Sequence, residues 1–332
     1  MSLRIGVIGA GAMGADHVHT IESSVPAARV SEIFDADAGR SRHVAQSVGA
    51  SVASSAESLI NSDEVDAVII CSPDFTHADL AKACIETRKS VLCEKPLAVT
   101  AAESLDVVEA EVRAGRQYVQ VGFMRRYDPG YVALRNALRN GDIGVPRLVH
   151  CLHRNAAAHP SATSEGIVTN SMIHELDTVR WLLDDEVAGI DVRSPIAEGL
   201  RDPQLATIEM RSGVLVSVEV FVNAAYGYDV RCEVVGTGGT ASLVPPHGIS
   251  LRRHGNDGVR VSDDFIARFA DAYRLELGSW VHGALDGIVS GPSAWDGHLA
   301  NVVAAAGVES LTTGERQAIA RTETPELYAA RA

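Results

Sequence analysis

Arg4-Ile5-Gly6-Val7-Ile8-Gly9-Ala10-Gly11-Ala12-Met13-Gly14 decides the fold of this chain. Its first half reads as a buried strand, because a short apolar run with β-branched residues suits a covered, pleated surface. Its second half is G-x-G-x-x-G, and a helical stretch through Thr20 and Ile21 follows at once. In this strand-turn-helix setting the motif is a dinucleotide-binding fingerprint. Gly9 permits a tight turn, Gly11 lets the backbone approach a pyrophosphate, and Gly14 lets the helix pack closely on the strand. Ala12 and Met13 open that helix, whose N-terminal N–H groups attract phosphate. A second strand, Arg29 to Phe34, ends at Asp35, about 20 residues beyond the glycines, where an acid bonds the adenosine ribose hydroxyls and repels a 2′-phosphate. The expected cofactor is NAD rather than NADP.

Strands and helices go on alternating. Helix Arg40 to Val48, strand Ser51-Val52, helix Ala56 to Ile60, strand Ala67 to Ile70, helix Ala78 to Thr87, strand Ser90 to Cys93, helix Ala101 to Ala114 and strand Tyr118 to Val121 predict a doubly wound parallel sheet. Ligands of such sheets bind beyond the carboxyl ends of the strands. Two loops fall there. Cys71 to His77 is one, with Ser72 and Pro73 expected against the nicotinamide half of the cofactor. Glu94-Lys95-Pro96 is the other, where a buried strand delivers a carboxylate and an amine to the same edge. His77 is expected to cap the helix beside it. Gly122 reads as a hinge, dividing the chain into a dinucleotide domain over residues 1–122 and a second domain over residues 123–332.

Composition fits this division. A chain of 332 residues exceeds one typical core, and 46% hydrophobic with 22% charged residues is ordinary for a soluble protein. The net charge of -14 disfavours nucleic acid and anionic membranes as partners. Five cysteines (Cys71, Cys84, Cys93, Cys151, Cys232), odd in number and never in C-x-x-C spacing, read as reduced thiols rather than a zinc or disulfide framework. The strand pattern from Leu3 leaves no room for a secretory signal, and no apolar run approaches a membrane span. The expected location is the cytoplasm.

The second half carries strand-like segments at Arg147 to Leu152, Leu205 to Met210, Val214 to Val222, Val230 to Val235 and Thr240 to Leu243. They predict a largely antiparallel open sheet, with the alternate valines from Val214 to Val222 on its buried face. A long helix, Asp264 to Val289, places Phe265, Phe269, Ala272, Leu275 or Leu277, Trp280, Ala284 and Ile288 toward a core, and a further helix runs from Asp296 to Ser310. Between these, Asn170 to Leu182 reads as a helix with Asn170, His174 and Asp177 on one face, four and three residues apart. A histidine beside a carboxylate is a workable proton acceptor near neutral pH. It is equally an interface histidine held by Asp177. His150 and His153, three apart on a strand, point to opposite faces, so no metal site is expected.

Taken together, the Gly9 to Gly14 turn, Glu94-Lys95-Pro96 and His174-Glu175-Leu176-Asp177 resemble the two-domain dehydrogenases of the glucose-fructose oxidoreductase and inositol dehydrogenase superfamily. Val119 to Asp128, His150 to Asn155, Tyr226-Gly227-Tyr228-Asp229 and Ser290 to Gly297 are similar to its bacterial myo-inositol dehydrogenase branch, and the resemblance spans essentially the whole chain. It implies oxidation of a ring hydroxyl of myo-inositol or a related cyclic polyol to the ketone, with hydride passing to NAD. It also implies a Rossmann domain joined to an antiparallel-sheet domain, and a homotetramer built through the sheets. Carried over residue by residue, Lys95 bonds the reacting oxygen and His174 takes the hydroxyl proton, with Lys95 sharing in its acceptance. Glu94 lies beside the cofactor, and Arg125, His153, Asn155, Asp177 and Tyr228 line the polyol pocket.

One position departs from the family pattern. The family's catalytic aspartate, four residues before the histidine, matches Asn170. An amide can orient the imidazole but cannot stabilise an imidazolium by charge. The departure leaves room for another inositol isomer or an aldose as substrate, or for a non-catalytic dinucleotide-sensing regulator on the same fold.

Overall fold

The structure is a computed structural model and describes residues 2–244, 250–259 and 261–329. Its first stretch is β1 (Leu3–Ile8), α1 (Ala12–Ser24), β2 (Ala28–Phe34), α2 (Ala38–Val48), β3 (Ser51–Val52), α3 (Ala56–Ile60), β4 (Ala67–Ile70), α4 (His77–Glu86), β5 (Ser90–Cys93), α5 (Ala101–Ala114) and β6 (Val119–Val121). The six strands are parallel, in the order β3-β2-β1-β4-β5-β6. All of β4 and most of β5 are buried, which is why they read as unbroken apolar runs. The order reverses between β1 and β4, and their carboxyl ends carry the glycine turn and the Ser72 loop. Ligands of doubly wound sheets bind at this switch point.

Further along lie α6 (Pro129–Arg139), β7 (Pro146–Arg154), α7 (Ser164–Gly166), a π-helical turn (Ile167–Met172), α8 (Ile173–Leu183), β8 (Val187–Arg193), β9 (Gln204–Met210), β10 (Leu215–Phe221), β11 (Asp229–Gly236) and β12 (Gly239–Ser242). Then come β13 (Ser250–Arg253), β14 (Asn256–Val259), α9 (Phe265–Asp286), α10 (Ala294–Thr313), β15 (Gln317–Ala318) and α11 (Glu326–Ala329). The second sheet runs β12-β11-β7-β10-β9-β8-β15. Its pairings are antiparallel except the central one, where β10 lies parallel to β7. That exception follows from the long excursion through α8, β8 and β9, which brings the chain back in its original direction. Val214, Val216, Val218, Val220 and Val222 are all buried, as their alternation requires.

The chain forms two compact units: Met1–Met124 with Asp271–Asn301 and Thr322–Ala332, and Arg125–Ala270 with Val302–Arg321. A single division after residue 122 differs from this, because it assigns residues 271–301 and 322–332 to the second domain. Their apolar side chains explain where they went. Leu277, Trp280 and Val281 of α9 join Ile5, Val7, Ile33 and Ile69 in one core cluster. Asn301 Nδ2 donates to the Ala98 carbonyl at 2.6 Å, and the Tyr328 hydroxyl donates to Glu111. The apolar stripe of α9 is therefore core, with Leu277 rather than Leu275 inside and Ile288 exposed. Gly122 also has a packing reason, since a Cβ there would stand 3.1 Å from Glu94 Oε2. No helix among the described residues is long and apolar enough to cross a membrane.

Candidate active site

In the first unit the glycines of the turn are not equivalent. Gly9 has φ +98°, and a Cβ there would meet the Cys71 carbonyl carbon and the Ser72 nitrogen at 2.5 Å. A Cβ at Gly14 would stand 1.9 Å from the Gly9 oxygen, so α1 crosses the turn too closely for any side chain. Protein packing explains both. Gly11 is different: its φ is -68°, and its Cβ would approach only Arg40 Nη1, at 3.8 Å. A residue kept small where the protein leaves space suits a backbone that a phosphate must approach. Gly11 is also the N-cap of α1 and offers no side-chain cap, and the first turn of Ala12 and Met13 carries no acid. Those N–H groups fit an anion.

Asp35 ends β2 beside this turn. Its Oδ2 accepts from Ala10 N at 2.7 Å and its Oδ1 from Asp37 N at 2.8 Å, which holds the carboxylate beside the glycine turn. The Ser72 loop is tied to itself, with Ser72 Oγ 2.6 Å from Thr76 Oγ1 and Thr76 Oγ1 donating to the Pro73 carbonyl at 2.7 Å. His77 does not cap α4. Thr76 occupies the N-cap without a side-chain bond, and the His77 ring turns instead to the carbonyls of Pro96 and Ser72. Two strong acceptors nearby outcompete a cap. Glu94 accepts from His17 Nε2 at 2.9 Å. Burial pushes the Glu94 carboxyl up, but the His17 bond and charge, with Lys95, outweigh it and hold it below the usual carboxylate range.

The second unit gathers the other named residues. Helix α8 is buried on every side from Ile173 to Arg180, so the expected contrast of polar and apolar faces is absent. Ion pairs make that burial tolerable. Arg126 grips Asp177 with Nε 2.9 Å from Oδ2 and Nη2 on Oδ1. Arg125 donates through Nη1 to Glu175 Oε1, and His153 Nδ1 lies 3.2 Å from Glu175 Oε2. Burial would raise the Glu175 carboxyl, yet Arg125 and His153 hold it at about 2. The His153 ring lies 6.3 Å from the ring of His174 and 5.8 Å from that of Tyr228. Burial pushes the Tyr228 phenol up, so it remains a neutral donor.

Asn170 sits in the π-helical turn rather than in α8. A π-turn is wider than an α-turn, so four residues from Asn170 to His174 are not the single α-turn that the spacing suggested. Asn170 lines a cavity of about 300 Å³ with Asn155, Ser171, Thr163 and His159. Asn155 Oδ1 has no partner among the described residues. Sequence reasoning passed over Glu175 and Arg126. Glu175 is adjacent to a histidine and Arg126 to an arginine, so neighbours already assigned masked them. His150 is exposed while His153 is buried, which places them on opposite faces of β7.

Comparison with known proteins agrees with this architecture. The model of the GFO/IDH/MocA oxidoreductase family, NAD-binding Rossmann fold, matches residues 3–123, and that of the GFO/IDH/MocA C-terminal domain matches residues 131–242. Inositol 2-dehydrogenase 1 of Saccharopolyspora erythraea is 50% identical, covering 99% of each chain. The inositol 2-dehydrogenase of Klebsiella pneumoniae is 41% identical, again over 99% of each. The crystal structure of myo-inositol dehydrogenase from Lactobacillus casei in complex with NAD(H) and myo-inositol superposes with a TM-score of 0.94 at 35% identity, covering 99% of this chain and 100% of that one. With both halves matched in order and full-length identity this high, the chain belongs to the GFO/IDH/MocA family of oxidoreductases with an NAD-binding Rossmann fold.

Proposed function

We propose that this protein is an NAD-dependent dehydrogenase that oxidises one ring hydroxyl of myo-inositol, or of a closely related cyclic polyol, to the ketone. The full-length 50% identity to an inositol 2-dehydrogenase carries the reading. Bound NAD supplies the hydride acceptor. Lys95 holds the reacting oxygen, and His174 takes its proton, with Lys95 sharing the load. Asn170 orients without adding charge. His153, Asn155, Asp177 and Tyr228 offer donors and acceptors to the remaining hydroxyls, and Arg125 steadies His153 through Glu175. A site built this way rejects the wrong epimer by leaving its own buried groups unpaired.

Asp35 selects NAD over NADP. The protein works in the cytoplasm as a homotetramer assembled through the open face of the second sheet. Exposed Leu148, Leu205 and Leu215, which share that face by register, support the last point. The decisive experiment is steady-state NADH or NADPH formation over a panel of inositol isomers and aldoses. Myo-inositol with NAD is expected to give the highest kcat/KM. Cofactor binding without oxidation of any polyol at any pH would sink the dehydrogenase reading in favour of a sensor, and analytical ultracentrifugation tests the tetramer.

A further inference from the structure

Lys95 stands between two residues that are each pinned by a buried histidine from a different helix. On one side Glu94 Oε1 bonds His17 Nε2. His17 lies on α1, is fully buried, and has no partner at Nδ1 among the described residues. A carboxylate only accepts, so the N–H at Nε2 points at Glu94. The edge of Tyr273 packs 5.6 Å from the same ring. Glu94 Oε2 in turn accepts from the backbone N–H of Lys95 at 3.2 Å.

On the other side the Pro96 carbonyl lies 2.7 Å from His77 Nδ1, and His77 Nε2 lies 2.8 Å from the Ser72 carbonyl. The ring is thereby held between these two carbonyl oxygens. The Ser72 nitrogen is itself packed against Gly9. Helix α1 begins at the glycine turn and α4 follows the Ser72 loop. The two helices that frame the dinucleotide crevice therefore also hold the Glu94 side chain and the Pro96 backbone on either side of Lys95.

We infer that His17 and His77 are positioning residues for Lys95; the inference rests on the role proposed above for that amine. A reacting group misplaced by about 1 Å can cost on the order of 10²-fold in rate. The chain has three lysines, Lys82, Lys89 and Lys95, so each can be followed. Reductive ¹³C-methylation of the full chain with NADH bound gives a resonance for each, and Lys95→Arg identifies one of them. In His17→Leu and His77→Leu the Lys95 resonance is expected to shift while those of Lys82 and Lys89 stay. His17→Gln keeps a donor toward Glu94 and is expected to leave it in place. With polyol, kcat falls about tenfold to a hundredfold in the leucine variants and recovers in His17→Gln. Where a leucine variant does not fold, His77→Asn, which can keep one of the two bonds, takes its place and is expected to shift the same resonance. An unmoved Lys95 resonance in the folded variants overturns the inference, and so does lowered stability with unchanged kcat. Failure of the proposed function looks different: the wild-type protein oxidises no polyol, while the resonance test still decides.

Discussion

Gly11 and Gly14 belong to one motif but are small for different reasons, and alanine at each separates them. At Gly14 the new methyl would stand 1.9 Å from the Gly9 oxygen. An ordinary C···O approach is about 3.3 Å, so α1 must move off the turn by more than about 1 Å. Overpacking of that kind costs about 1–3 kcal/mol, and binding at the displaced helix falls with it. At Gly11 the methyl meets only Arg40 Nη1 at 3.8 Å, and φ -68° is open to alanine. Stability should hold, or rise by about 0.4–1 kcal/mol as the unfolded chain loses freedom. The methyl instead occupies the space toward which a pyrophosphate comes. The dissociation constant for NADH is then expected to rise at least tenfold, about 1.4 kcal/mol. Urea denaturation and NADH fluorescence titration read the two effects independently. If Gly11→Ala binds NADH like the wild type, or loses as much stability as Gly14→Ala, the assignment of Gly11 to the ligand is wrong.

Other outcomes follow from the same geometry. Asn170→Asp should raise NADH production from myo-inositol if Asn170 is a weakened partner of His174; no change or a loss in steady-state assays favours a pocket rebuilt for another substrate. Asp35→Asn should raise the NADP to NAD ratio of kcat/KM about tenfold or more, because a repelling charge is removed; NAD affinity should fall too, since the bonds to Ala10 N and Asp37 N weaken. Arg125 and His153 hold the Glu175 carboxyl at about 2 in the fold against its ordinary 4.5, so the group stabilises the fold above the unfolded value and loses that contribution as pH falls from about 4.5 to about 2. The amount is on the order of 3 kcal/mol. A pH series of urea midpoints should steepen in this window and flatten in Glu175→Gln; equal slopes would refute it.

Much of this was legible in the sequence because the physics was local. Unbroken apolar runs gave β4 and β5, alternate valines gave β10, and the glycines fell where a turn, a close helix and an open approach each need them. Other features depend on partners far along the chain. Nothing near His77 announces the Pro96 carbonyl, and nothing near Asp177 distinguishes Arg126 from solvent as its partner. The π-turn at Asn170 was hidden for a related reason, since an inserted residue leaves the apolar pattern of a buried helix almost unchanged. β8 alternates too weakly, through Ala188 and Gly189, to stand out as a strand.

The return of residues 271–301 and 322–332 to the first unit bears on how the protein is made. The chain leaves the nucleotide-binding sheet after Met124, builds most of another unit, and only then supplies Leu277, Trp280 and Val281 to the core of the first. During synthesis the parallel sheet must wait with that apolar surface uncovered while roughly 150 further residues emerge, a delay on the order of ten seconds or more at ordinary rates of translation. A fragment cut after residue 122 would keep the fingerprint and lose the cover. Such a fragment is expected to be sticky rather than independently soluble, and chaperone dependence should concentrate in this interval of translation.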